Sequence, residues 1–181
     1  MPPTARPRSA RPLYTAAERA RRDATRWTLV QGLLAPLQFL VFGASLALVL
    51  RALATGSSAH ETLAAWSVIA KTVVLCTIMV TGAIWEKVVF GRYLFAPAFF
   101  WEDVVSMGVI ALHLSYVAMY LTGTGDAALQ LGVALAAYAA YLVNAAQFVW
   151  KLRMARLGAA SADAASRTAA GERGGAAAQP A

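Results

Sequence analysis

The sequence predicts an all-α polytopic membrane protein: a four-transmembrane-helix bundle with disordered tails. Three observations carry this. Of 181 residues, 59% are apolar and only 14% charged, whereas a soluble domain averages about 25% charged and 45–50% apolar. The apolar residues fall into four long runs. The basic residues stand just outside those runs, and mostly on one side of them.

Residues 1–13 are Pro- and Arg-rich and read as a disordered N-terminal tail, without the short apolar core of a signal peptide. Thr15-Ala-Ala-Glu18 has the spacing of a capping box, so a charged helix is expected to start there and lie at the membrane surface. The transmembrane domain, residues 14–157, holds spans at 27–50, 63–85, 104–122 and 127–150. The first has 24 uncharged residues between Arg26 and Arg51; at a rise of about 1.5 Å each they exceed a hydrocarbon core of about 30 Å. Pro36 is expected to kink it. The second is interrupted only by Lys71, which either snorkels to an interface or turns inward. Residues 158–181 are Ala/Gly-rich and read as a disordered C-terminal tail.

Orientation follows from charge. Seven Arg precede the first span, Lys87 and Arg92 lie in the middle loop, and five basic residues follow the fourth span. Arg51 is alone on the other side. The positive-inside rule then puts both termini and the middle loop in the cytoplasm. It also accounts for the net charge of +7 without invoking nucleic acid. The five Trp fall at span ends, as an interfacial aromatic belt requires. The single Cys76 excludes a disulfide framework and Cys-rich metal sites, and is expected to be a small core residue. Phosphate-binding Gly-rich loops, dinucleotide-binding Gly patterns and His-Glu-x-x-His are absent.

Each span carries polar residues at helical spacing. Gln31, Gln38 and Ser45 recur every seven residues. Glu102 and His113 are eleven apart, with Ser106 and Tyr120 near the same face, and Gln130, Tyr141, Asn144 and Gln147 mark the fourth. Inward stripes of this kind serve packing or line a polar interior. His113 either bonds a backbone carbonyl or acts as an axial metal ligand. The segment Trp85–Asp103 is the densest, combining Glu86, Lys87, Arg92, Glu102 and Asp103 with seven aromatic residues. Carboxylates beside apolar walls are where acid–base chemistry becomes available.

Arg22-Asp-Ala-Thr-Arg-Trp-Thr-Leu-Val-Gln-Gly-Leu-Leu-Ala-Pro-Leu-Gln-Phe39 resembles the opening of the vinyl bacteriochlorophyllide hydratases. So do Thr81-Gly-Ala-Ile-Trp-Glu-Lys-Val-Val-Phe-Gly-Arg-Tyr-Leu-Phe-Ala-Pro-Ala-Phe-Phe-Trp-Glu-Asp103 and Asn144-Ala-Ala-Gln-Phe148. The resemblance covers about Tyr14 to Leu157. It implies hydration of the C3 vinyl group of chlorophyllide a or 3-vinyl bacteriochlorophyllide to 1-hydroxyethyl, in bacteriochlorophyll synthesis, with no separate cofactor. It carries over no catalytic residues.

A flat apolar ring with a propionate suits a cavity at the membrane interface, with Lys87 or Arg92 on the acid group and Trp85, Tyr93 and Trp101 among the walls. Glu102 or Asp103 is the expected acid and Glu86 the base, with the order interchangeable. His113 is the candidate ligand for the substrate's Mg²⁺, although about 16 Å of helix separates it from Glu102. The expected partners are the tetrapyrrole, membrane lipid and neighbouring pigment-synthesis enzymes. The competing readings are a non-catalytic tetrapyrrole-binding or assembly protein and a structural membrane subunit.

Overall fold

The computed structural model describes residues 13–176, so the tail expectations for residues 1–12 and 177–181 lie outside the described residues. The regular structure of the described residues is all helix: α1 (Ala16–Ala24), α2 (Arg26–Thr55), α3 (Ser58–Phe90), α4 (Phe100–Thr122) and α5 (Ala127–Ala176). The last four are long and apolar enough to cross a membrane. Residues 158–176, read as tail from composition, continue α5 as helix; alanine, the strongest helix former, dominates there.

The Thr15 capping box forms with Glu18, as the spacing requires. The surface helix and the first span are separate elements. Thr25 is extended, ending α1 and capping α2 through its hydroxyl to the Trp27 N–H. Helix α2 passes through Pro36 without interruption.

Two antiparallel hairpins, α2–α3 and α4–α5, pack side by side, with α3 against α4 and α2 against α5. The core contains Val49, Ala64, Val68, Val109, Ala134 and Tyr138. Small residues such as Ala64 and Ala134 let the helices approach closely, which is the main attraction available between helices in lipid. Large apolar side chains such as Leu33, Leu40, Val73 and Leu129 face outward, toward the acyl chains.

One end of the bundle carries the α3–α4 loop. Helix α3 stops at Gly91, whose φ of 84° closes the helix in a left-handed cap that a side chain would strain. Helix α1 lies across this end, where Arg21 Nε donates to the Val89 carbonyl at 2.8 Å. Beside it Tyr14 stacks on Phe90, and both join Trp85, Phe99 and Phe148 in a second aromatic core. Burial pushes the Tyr14 phenol up from its ordinary pKa, against the opposing pull of Arg22, whose guanidinium lies 4.8 Å from the ring centroid.

Candidate functional site

Three carboxyl groups are buried at the loop end: Glu86 from the last turn of α3, and Glu102 and Asp103 from the first turn of α4. Buried carboxylates need partners, and each has one. Asp103 accepts from the Phe95 N–H at 2.8 Å, and Glu86 accepts from the Ala96 N–H at 3.2 Å. Phe95 has a φ of 58°, a conformation costing a non-glycine residue roughly 1–2 kcal/mol. That turn aims two successive backbone N–H groups at two acids from different helices. Because those N–H groups are adjacent in the chain, the Glu86 and Asp103 carboxyls are brought close together in a buried site. Two like charges so placed disfavour full ionisation, which favours a proton on one of the pair. Glu102 is arranged differently: Lys151 of α5 reaches it at 2.6 Å.

The other expected site residues divide into two groups. Trp85 turns inward and donates to Thr28 Oγ1 at 3.0 Å. Lys87, Arg92, Tyr93 and Trp101 are exposed around the loop. Lys87 Nζ donates to the Gly91 carbonyl at 2.9 Å and sits 5.3 Å from the Tyr93 ring centroid. Trp101 contacts Phe100, which contacts Phe95, forming an exposed aromatic apron beside Asp103.

His113 is wholly enclosed in the bundle. Its Nδ1 lies 2.8 Å from the Val109 carbonyl, so Nδ1 carries the proton and Nε2 is the free acceptor. A macrocycle arriving from lipid would have to part α4 from its neighbours to reach it. Lys71 does not snorkel: it is fully buried, donates to Gln38 Oε1 at 2.9 Å and lies 3.8 Å from the Tyr141 ring centroid. The inward stripes are real, since Gln38, Ser45, Ser106, Tyr141 and Asn144 are all buried.

A lateral groove of about 530 Å³ runs between α3 and α4 from Ile69 to Thr81, with Leu114 and Val117 opposite. Cys76, expected in the core, lines this groove instead. The carboxylates are not in its wall, but Asp103 is eleven residues from Leu114 and so lies within about 20° of the same face of α4.

Sequence reasoning missed Lys151, which had counted only as a flanking charge, and the Phe95 and Ala96 N–H groups. No side-chain pattern could signal a backbone donor. The run of adjacent ionisable residues with Gly91 and Pro97 did signal that a tight loop sits there.

The family described as 2-vinyl bacteriochlorophyllide hydratase matches residues 14–154. A 2-vinyl bacteriochlorophyllide hydratase of Cereibacter sphaeroides is 66% identical over 157 residues, covering 87% of this chain and 96% of that protein. One of Rhodobacter capsulatus is 63% identical over 164 residues, covering 91% and 94%. No solved structure matches. The matched region takes in α1, the α3–α4 loop and every carboxylate of the loop end, and the chain belongs to the 2-vinyl bacteriochlorophyllide hydratase family.

Proposed function

We propose that this chain is a hydro-lyase adding water across the C3 vinyl group of a chlorophyllide-type macrocycle to give the 1-hydroxyethyl product. The observation that carries the reading is the buried Glu86–Asp103 pair, one carboxyl from each helix flanking the aromatic loop, both held by successive N–H groups of that loop. The proton the pair holds goes to the terminal vinyl carbon. The cation then forms on the inner carbon, where conjugation spreads it into the ring. Water attacks that carbon and gives a proton to the carboxylate left behind, so the pair ends with the proton it began with. One water is consumed, no electrons are exchanged, and neither step calls for a cofactor. Asp103 or Glu86 is the acid and the other the base; Glu102, committed to Lys151, stays outside the exchange.

The ring is placed against the exposed apron of Phe95, Phe100 and Trp101, with Tyr93 and Lys87 at its edge. Its propionate is held by Arg92 or Lys87, Arg being the better fork for a carboxylate. With the basic ends of the chain in the cytoplasm, this puts the reacting edge at the inner surface of the bacterial membrane, where a neighbouring pigment-synthesis enzyme can deliver the ring.

The test is expression in a host that accumulates 3-vinyl chlorophyllide, followed by pigment analysis. The hydroxyethyl pigment is expected with the native chain. Glu86→Gln and Asp103→Asn should each lower its rate of formation by about 10²–10⁴, the usual contribution of a positioned acid or base. Native product yield in both variants at equal protein level would reassign the chain to pigment binding or assembly.

A further inference from the structure

Behind the carboxylates buried polar groups recur within the apolar core over about 16 Å, the rise between Glu102 and His113 on α4. Asn144 Nδ2 donates to Ser106 Oγ at 2.8 Å, one turn in from Glu102. Lys71 and Gln38 meet beside Tyr141. Deeper, His113 lies against Tyr138, whose hydroxyl is 2.5 Å from Ser45 Oγ. Within this seam four buried atoms have no hydrogen-bond partner among the described residues: Gln38 Nε2, His113 Nε2, Asn144 Oδ1 and Gln147 Oε1.

Neighbouring bonds fix the sense of three of these. Gln38 presents its oxygen to an ammonium, so its free atom is the N–H₂. Ser106 gives its own proton to the Glu102 carbonyl, so Asn144 must donate to it, and the free atom is the oxygen. His113 Nδ1 faces a carbonyl, so Nε2 is an acceptor. The seam thus offers one donor and two acceptors of settled sense, with the Gln147 amide beside them, contributed by α2, α4 and α5.

We propose that these atoms bind water: a file of internal water molecules runs from the Glu102–Lys151 pair, past Gln147 and Asn144, to His113 and Gln38. Water both donates and accepts, and an enclosed water needs two to four polar partners. The seam does not suit other occupants. An anion would meet the His113 and Asn144 acceptors, and a cation would meet the Lys71 ammonium. No group of three His, Cys, Asp or Glu capable of holding a metal occurs among the described residues. An apolar ligand would leave the same four atoms unpaired. The file is defined by this chain's own atoms and stands apart from the reading of the reaction. If hydration is that reaction, the file sets water and a proton path behind the acids.

X-ray radiolytic footprinting with mass spectrometry tests it on the full-length protein in lipid nanodiscs, because radicals formed from bound water label the side chains beside it even when these are buried. His113, Tyr138 and Tyr141 should be labelled well above background in the native chain. Asn144→Leu and Gln147→Leu should lower that labelling severalfold while leaving Phe99 unchanged. Background labelling of those three residues in the native chain overturns the proposal, as does strong labelling that neither variant alters. If Asn144→Leu does not fold, the native chain and Gln147→Leu, which changes a half-buried residue, decide between the same outcomes.

Discussion

The loop-end carboxylates and the mid-bundle polar groups are buried to a similar degree, yet they are satisfied by different means. At the loop end the partners are rigid: two backbone N–H groups in a strained turn, and a lysine from the facing helix. In mid-bundle the partners are side chains and a few helix carbonyls, and among the described residues four atoms are left over. Leaving a buried polar group unpaired costs about 1–3 kcal/mol. Such a seam persists only where something else meets the need. The loop end is built to hold two acids in fixed positions, and the seam to hold something mobile.

The largest effect that would sharpen this contrast is catalytic. If Glu86 and Asp103 act as one unit, the double variant Glu86→Gln/Asp103→Asn should lose hardly more activity than either single variant, since groups sharing a step are strongly non-additive. Rates measured on the three proteins decide this. Losses that multiply would mean that each acid acts alone, and would remove the shared proton from the mechanism.

Next in size is the stability of the seam. Gln38→Leu leaves the buried Lys71 ammonium, among the described residues, with the Tyr141 ring, and should cost about 2–3 kcal/mol, the upper range for a hydrogen bond to a charged group. Adding Lys71→Met should recover most of that loss, because replacing both polar partners with apolar groups of similar size is often nearly neutral. Unfolding of the two variants in detergent measures the difference. A double variant no more stable than Gln38→Leu would mean that Lys71 has further partners in the seam.

Lys151→Met should cost less, about 1–2 kcal/mol. Breaking a buried ion pair is expensive, but a side chain 26% exposed keeps part of its hydration, so the full penalty does not apply. Because Glu102 lies outside the proposed proton exchange, the variant should keep most of its activity. A loss as large as that of Glu86→Gln would bring Glu102 into the mechanism.

What was legible beforehand follows the same divide. Helical periodicity placed Gln38, Ser45, Glu102, Ser106, His113 and Asn144 on inward faces, because a period of 3.6 and a bilayer together fix which face polar groups take. The four spans were legible for the same reason. Pairing was not: Glu102 meets a lysine 49 residues away and Lys71 a glutamine 33 residues away, and such contacts depend on how the hairpins are set side by side. Lys71 illustrates the limit. Its depth was readable, but the choice between snorkelling and burial depended on whether Gln38 stood opposite. The break at Thr25 was missed because an extended N-cap inside a continuous helical pattern leaves no mark on hydropathy.

The smallest structural effect expected is at the aromatic apron. Trp101 is 70% exposed and its ring meets Phe100, so Trp101→Ala should change stability by no more than about 0.5 kcal/mol, as surface substitutions generally do. If the apron stacks the macrocycle, the same variant should raise KM while leaving kcat nearly unchanged, since a flat wall binds substrate and transition state alike. Trp85→Ala provides the opposite control: that ring is packed inside among Phe90 and Phe99 and bonded to Thr28, so its loss should appear in stability first. An unchanged KM in Trp101→Ala would move the ring off the apron and toward the groove between α3 and α4, whose face Asp103 shares.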